Sequence, residues 1–467
     1  MKTALMWFRR DLRVYDNTAF LRAAAAAETI IPVFIVEEAF RTGRDVGAIR
    51  LQFLFDSLRV LQNSLAELGY PLVVRHGRSE TEIPKLCREI EAQAVFCNKR
   101  PEPYAQARDS RVFNALNSLG IGFEQFKDAV LWEEQEILTQ AGQPYTVFTP
   151  YSKAWKARTP LSPGGKIKPQ KPLNFEVASD PIPGAEELGH PLAIAALPAG
   201  EEVGQKLARD FFRKKIQHYA DTRDLPAQDG TSRFSAHLRA GTLSIRMLAA
   251  AIRRERDQAD ADGRASCDTF LNELIWREFY HQILHNFPHV MRGAFRPEYD
   301  RLAWSTNEDH FAAWKSGQTG YPIVDAAMRC LKATGWMHNR LRMIVAMFLT
   351  KDLLLNWQRG EAWFMDQLVD GDLAANNGGW QWSAGSGTDA APYFRIFNPV
   401  TQSQKFDPEG SFIRRWIPEL ADCSAKEIHA PWDHSPPKSY PARIVRHEEQ
   451  RPKALAMYAA LKRLAPT

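Results

Sequence analysis

The hydrophobic period of this chain changes near residue 130, and that change limits the fold more than any single motif. Short apolar runs at Thr3–Phe8, Ile30–Val36, Pro71–His76, Ala94–Cys97 and Ile121–Phe126 alternate with three-to-four-residue spacing. Short runs bounded by turn residues read as buried strands. Thr18–Ala27 is alanine-rich, and Gln52, Phe55, Arg59 and Gln62 mark the turns of a helix from about Ala48 to Leu68. Strand–helix alternation predicts a parallel, doubly wound sheet with right-handed crossovers. From Glu133 to Gly204 the pattern lapses under a run of prolines between Pro144 and Pro198, with a short helix expected near Pro150–Ala157. Beyond residue 204 the spacing is helical almost throughout, in segments near 205–219, 242–256, 266–286, 322–334, 338–357 and 361–368. The predicted fold is therefore an α/β doubly wound parallel-sheet N-terminal domain (1–131), a connector (132–203) and an all-α C-terminal domain (204–467).

A chain of 467 residues with this layout needs no covalent staples. Its five cysteines are odd in number and form no Cys-x-x-Cys pair, so a reducing cytoplasm is expected. Arg9, Arg10 and Asp11 stand too early for a signal peptide, and no apolar run reaches membrane-spanning length. The net charge of +5 is a weak pointer to an acidic partner. Ten of the thirteen tryptophans follow residue 200, which predicts either a large core or a stacking site there. No Gly-x-Gly-x-x-Gly follows the first strand, which excludes a conventional dinucleotide loop. Ligands of such sheets lie beyond the carboxyl ends of the strands, here the rim Trp7–Arg13.

The densest polar stretch runs from Asp370 to Trp382. It holds Asp370, Gly371, Asp372, Asn376, Asn377, tandem glycines, Trp380 and Trp382. Carboxylates and amides fix the polar edge of a planar ligand, glycines admit close approach and indoles stack; a capped loop over a buried aromatic pair is the plainer alternative. Thr231, Ser232, Arg233, Phe234 and Ser235 precede a helical run, where small hydroxyls cap a helix and its N–H groups suit an anion. Tyr219 and Arg223 lie just upstream. Glu273, Trp276, Arg277 and Tyr280 recur at three- and four-residue steps and share a helix face. Asn339, Arg340 and Met343 open another helix, and His338 beside them has no partner at metal-ligand spacing, so no metal is expected. Trp304, Trp357 and Trp380, taken singly, read as core. Phe394–Pro399, continuing to Gln402 and Lys405, mixes rings with cations as single-strand binders do.

Five ordered motifs carry a resemblance. They are Trp-Phe-Arg-Arg-Asp-Leu-Arg at 7–13, Gly-Thr-Ser-Arg-Phe-Ser at 230–235, Asn-Glu-Leu-Ile-Trp-Arg-Glu-Phe-Tyr at 272–280, Thr-Gly-Tyr-Pro-Ile-Val-Asp-Ala-Ala-Met-Arg at 319–329 and Gly-Trp-Met-His-Asn-Arg at 335–340. With 370–399 they make the whole chain resemble the DNA photolyase/cryptochrome family, and within it the bacterial members that repair cyclobutane pyrimidine dimers. The resemblance implies FAD, fully reduced when active, in the helical domain. Tyr219 and Thr231 to Ser235 would hold its phosphates and ribityl chain, and Asp370, Gly371 and Asp372 would line the ring system. Asn376 falls where repair enzymes place an amide beside flavin N5 and plant cryptochromes an aspartate. Asn339 falls where enzymes for pyrimidine–pyrimidone photoproducts carry a histidine.

The implied activity is light-driven splitting of a flipped-out dimer in DNA, recognised by structure rather than sequence. Glu273 would bind the dimer carbonyl edge; Trp276, Trp382, Met343, Asn339 and Tyr280 would wall it. Arg223, Arg277, Arg340, Gln402 and Lys405 would meet flanking nucleotides and phosphates. Trp380, Trp357 and Trp304 match the family's electron-transfer chain. A blue-light photoreceptor of the cryptochrome type is the alternative; Asn376 and the lack of a long tail after Thr467 argue against it. A second antenna chromophore of folate or deazaflavin type, a second flavin or none stays open, because Arg100, Tyr104 and Ala105 depart from the known patterns. A cytoplasmic monomer is expected.

Overall fold

The computed structural model describes residues 1–43, 46–159, 162–171, 173, 176–434 and 437–464; Pro160 and Pro172 of the connector lie outside them. Five strands, β1 (Thr3–Phe8), β2 (Thr29–Val36), β3 (Val73–His76), β4 (Ala94–Asn98) and β5 (Gly122–Phe126), form one sheet in the order β3-β2-β1-β4-β5. Every pairing is parallel, which is the doubly wound arrangement expected. Both faces are covered: β1 is buried along its length, and apolar clusters lie on either side of the sheet. Four helices make the crossovers: α1 (Thr18–Ala26), α2 (Ala48–Glu67), α3 (Ser79–Glu89) and α4 (Pro103–Asn117). Asn17 caps α1 by accepting from the Phe20 N–H at 3.2 Å. Pro103 opens α4, where its missing donor costs nothing.

The connector carries α5 (Phe148–Lys156). After it come α6 (Glu201–Lys214), the short α7 (Ser235–Ala240), α8 (Ile245–Gln258) and the 26-residue α9 (Ala261–Asn286). The remaining long helices used below are α10 (Pro322–Thr334), α11 (Asn339–Met347), α12 (Trp357–Gln367), α13 (Leu373–Ala384), α14 (Pro399–Phe406) and α15 (His447–Leu464).

By compactness the chain forms two units. The first comprises residues 1–217, 232–286 and 369–372; the second comprises 218–231, 287–368 and 373–467. The first contains the sheet and α1 to α9, and the second is helical around its own core of Trp314, Tyr321, Phe348, Phe364, Trp380 and their neighbours.

Periodicity predicts one helix over 338–357, and the structure breaks it. Past Met347 the chain makes one π turn, Phe348–Asp352, then turns at Leu354 with φ +54°. The Thr350 hydroxyl donates to the Ala346 carbonyl at 2.9 Å, a side-chain bond that bends helices. Asp352 is drawn to His447 Nδ1 at 2.6 Å. Asn356 then caps α12 by accepting from the Gln358 N–H at 2.9 Å.

Candidate functional site

The rim Trp7–Arg13 is occupied by the protein itself. Arg9 holds Asp109 with 2.6 and 2.7 Å contacts, and Arg13 holds Asp128 at 2.7 and 2.8 Å. Arg246 binds the same Asp128 at 2.8 Å and Asp16 at 3.1 Å. Asn98, at the end of β4, donates to Asp11 at 2.6 Å and to Asn17 at 2.8 Å. The Arg9 and Arg108 guanidiniums both lie over the Trp7 ring, 4.4 and 4.7 Å from its centroid. Burial alone would raise the Asp128 carboxyl, but Arg13 and Arg246 outweigh it and bring it down to about 2. Further out, Arg10 and Arg100 both grip Glu102, and the Tyr104 hydroxyl donates to Glu37 at 2.8 Å.

In the first unit the expected stripe on α9 forms. Glu273, Trp276, Arg277 and Tyr280 are half-buried, while Leu274, Ile275, Glu278 and Phe279 between them are buried. Trp276 stacks on Phe148 of α5, with centroids 3.7 Å apart and planes 3° from parallel; Tyr280 lies tilted beside it at 5.5 Å. Arg277 donates to the Ala129 carbonyl at 2.8 Å. Sequence reasoning missed Glu278. Its carboxylate accepts from the Trp155 indole at 2.6 Å and from the Leu131 and Trp132 N–H groups, tying α5 and the connector to α9. Burial pushes this carboxyl up to about 7 despite those donors. Its only sequence signal was an acid on the apolar side of an amphipathic helix.

Asp370 is buried in the same unit. The Gly371 carbonyl accepts from Arg239 Nε at 2.6 Å, and Asp372 lies 3.3 Å from His281 Nε2. Burial works against the Asp372 anion, yet His281, Arg277 and Arg10 outweigh it and hold the carboxyl well below its usual range. The hydroxyl-capping reading of 231–235 fails. The residue at the start of α7 is Phe234, with no side-chain cap. Its ring is buried 5.3 Å from Phe211 and 6.0 Å from Phe270, so packing sets this start. Ser232 Oγ only accepts from the Phe234 N–H at 3.4 Å, and Arg233 takes φ +56°.

In the second unit, α13 presents Asn376, Trp380 and Trp382. The Asn376 amide nitrogen donates to the Glu361 carbonyl at 3.0 Å, leaving its oxygen end for another partner. Asn377 is consumed structurally: it donates to the Val290 carbonyl at 2.9 Å and accepts from Gln381 at 3.0 Å. A Cβ placed on Gly379 would meet nothing within 4 Å. A glycine inside a helix costs about 1 kcal/mol against alanine, so room at this face is retained at the expense of stability. Trp380 is buried edge-on to Phe364 at 5.0 Å and Trp314 at 6.0 Å, and its ring fills the space beside Gly360. Trp357 is buried in the same core, and Trp304 and Trp382 are partly buried against it.

His338 caps α11 by accepting from the Arg340 N–H at 3.2 Å. Burial pulls its pKa down to about 4, so the neutral ring is a reliable acceptor. Asn339 is exposed, and Arg340 and Met343 are half-buried. Arg340 is held by Asp224 at 2.8 Å and lies 4.3 Å from the Phe406 ring. Lys405 sits over that ring at 5.2 Å, one turn from Gln402 on α14. Arg223 lies 5.5 Å from the Tyr219 ring and 3.8 Å from Asp224. The structure thus brings Arg223 and Arg340 to the Asp224 carboxylate and Arg340 and Lys405 to the Phe406 ring, with Tyr219 against Arg223. No group of metal-ligating side chains occurs among the described residues.

Within the second unit, the room beside Gly379, the Asn376 amide oxygen and the indole faces fit part of a planar, hydrogen-bonding cofactor; within the first, the ionised Asp372 is an acceptor of the kind such a cofactor takes. Comparison with known proteins specifies the group. Residues 4–172 match the DNA photolyase family model, and residues 270–460 match the FAD binding domain of DNA photolyase. The deoxyribodipyrimidine photo-lyase of Salmonella typhimurium is 42% identical, over 99% of this chain and 100% of that protein. A class III photolyase from Agrobacterium tumefaciens superposes with a TM-score of 0.92 at 36% identity, over 99% of this chain and 98% of that one. A Sulfolobus tokodaii photolyase crystallised with two FAD molecules, the second implicated in light harvesting, gives a TM-score of 0.85 at 31% identity, over 98% and 100%.

Proposed function

Because the chain belongs to the DNA photolyase family, we propose that it repairs cyclobutane pyrimidine dimers in DNA under blue light, acting as a deoxyribodipyrimidine photo-lyase with FAD as its cofactor. The observation that carries this reading is whole-length kinship to photo-lyases; the motif resemblance around Glu273 and Asn376 supports it. When bound, fully reduced FAD supplies the photoexcited electron that splits the dimer. The protein supplies position and electrostatics.

Asn376 would accept from N5–H of the reduced ring, because its amide nitrogen is already committed to Glu361. Asp370 and Asp372 would bind the polar edge and ribityl chain, Asp372 as a firmly ionised acceptor. Tyr219 and Thr231 to Ser235 would hold the phosphate and ribityl region. Glu273 would hydrogen-bond the dimer's carbonyl edge. Trp276, its plane set by Phe148, would wall the flipped dimer with Trp382, Met343, Asn339 and Tyr280. Arg223, Arg277, Arg340, Gln402 and Lys405 would hold the flanking strand; such contacts position DNA without reading sequence. Trp380, Trp357 and Trp304 run from buried to partly exposed in one core, which supports a role in carrying electrons inward to the cofactor.

In this reading, 1–131 is an antenna-type domain, 132–203 a connector and 204–467 the cofactor domain. A second chromophore, of folate, deazaflavin or flavin type, belongs to the proposal as a light-harvesting accessory. A cytoplasmic monomer belongs to the same proposal; the five free cysteines support a reducing compartment, and no described helix is long and apolar enough to cross a membrane. The test is a dimer-bearing oligonucleotide with reduced protein, illuminated or dark. Thymines restored only in the light are expected; equal yields in both would sink the reading. Glu273→Ala should lower repair yield at least tenfold with little loss of affinity.

A further inference from the structure

We propose that a basic groove between α6 and α8 is a second nucleic-acid contact, one that grips the phosphate backbone of DNA away from the dimer site. The groove has a volume of about 1030 Å³ and is lined by residues of the first unit. Lys206, Arg209 and Arg213 stand on one face of α6, at steps of three and four residues. Lys166 and Arg254 face them from the connector and α8. The two carboxylates in the lining, Asp210 and Glu255, are each already paired with an arginine of the same groove, at 3.1 and 2.9 Å. Lys166, Lys206 and Arg209 have no carboxylate partner among the described residues. The groove therefore carries a net charge of +3, in a concave place where field lines concentrate.

Chemistry narrows the occupant. The floor is Phe212, Ala208, Met247 and Ala251, and Tyr15, Gln205 and Gln217 contribute a ring and two amides. Cations with amides and a phenol, over a floor that needs no polar partner, suit a deoxyribose–phosphate strand: phosphate oxygens take Lys and Arg, sugars take the rest. The Lys206 to Arg213 row spans roughly 10 Å along the helix, enough for more than one phosphate. None of these residues belongs to the Trp276 stripe, which is built by α9 and α5. The contact is accordingly blind to damage, and its effect is on general affinity and on search along undamaged duplex.

This inference rests on DNA being the substrate. The experiment compares the wild-type holoprotein with the Lys206→Ala/Arg209→Ala double variant, by fluorescence anisotropy on an undamaged duplex from 50 to 200 mM salt. Both side chains are exposed, so an unchanged thermal midpoint is the fold control. Neutralised phosphates each contribute about 0.9 to the salt slope, so the variant's slope should fall by about two and its affinity on the order of tenfold. Light-driven repair of a short, saturating dimer oligonucleotide should stay at the wild-type rate. A slope and affinity equal to wild type would overturn the groove while leaving the repair reading intact. So would loss of binding to phosphatidylserine vesicles with the duplex slope unchanged. A wild-type protein that bound DNA but repaired nothing would instead strike at the proposed function.

Discussion

Two motifs of similar composition, residues 7–13 and 370–382, behave in opposite ways. Both combine aromatics with charges. In the first, Arg9, Asp11 and Arg13 are buried, and each finds its partner inside the protein, at Asp109, Asn98 and Asp128. In the second, the interior partners are incomplete: Asn376 is tied by one end only, Gly379 faces open space, and Trp382 is half-buried. A polar motif is structural when its hydrogen-bonding capacity is met within the fold, and a site when part of that capacity is held in reserve. The sheet rim, where open α/β folds usually bind ligands, is closed here by its own ion pairs.

The largest expected effect tests the closed rim. Asp128→Ala leaves Arg13 and Arg246 buried without their shared carboxylate, and removing one partner of a buried pair costs about 3–5 kcal/mol. The denaturation midpoint should drop accordingly, while repair per folded molecule holds. Repair lost with stability retained would reverse the assignment. The same contrast appears within one helix start, between buried His338 and exposed Asn339. His338 resists protonation down to about 4 when folded, because it is buried. Below pH 6.5 the unfolded chain binds a proton that the folded chain refuses, so stability falls as pH falls from about 6.5 to 4. The loss is at most about 3 kcal/mol, at 1.36 kcal/mol for each unit. His338→Asn keeps a capping acceptor and should flatten the melting temperature across that window; an unflattened curve would remove His338 as the cause.

How far this contrast was legible depends on the distance over which each feature is decided. Strands and α2 were legible because burial on a period is written locally: Thr3–Phe8 and Ala48–Glu67 lie where the pattern puts them. Pro71 falls outside β3 because it has no N–H to give the ladder. The stripe on α9 was legible for the same reason. The closure of the rim was not, since Arg9 meets Asp109 and Arg13 meets Asp128 across 100 and 115 positions. Nor was the capture of Arg340 by Asp224, the break after Met347, or Glu278, whose donors come from Leu131, Trp132 and Trp155. Spacing shows which residues share a face; it does not show which of them are already spoken for.

Two smaller substitutions probe the open side. Trp276→Ala removes a stacking wall, worth about 1–3 kcal/mol per base. Affinity for a dimer-bearing oligonucleotide should fall correspondingly more than affinity for undamaged duplex. Equal losses on both would mean that Trp276 contributes general packing and not dimer recognition.

The finest test leaves Trp276 in place and loosens what holds it. Phe148 covers one face of the indole at 3.7 Å and keeps its plane fixed. An aromatic pair contributes about 0.5–1.5 kcal/mol beyond the area it buries. Phe148→Leu keeps most of the apolar volume and removes the parallel ring, so the indole should become mobile while α5 stays docked through Trp155 and Glu278. Dimer affinity should weaken two- to tenfold, and the thermal midpoint should barely move. If affinity were unchanged while the midpoint dropped, Phe148 would belong with the closed rim, as a packing residue, and the pre-set wall would have to be ascribed to Tyr280, tilted beside the indole at 5.5 Å.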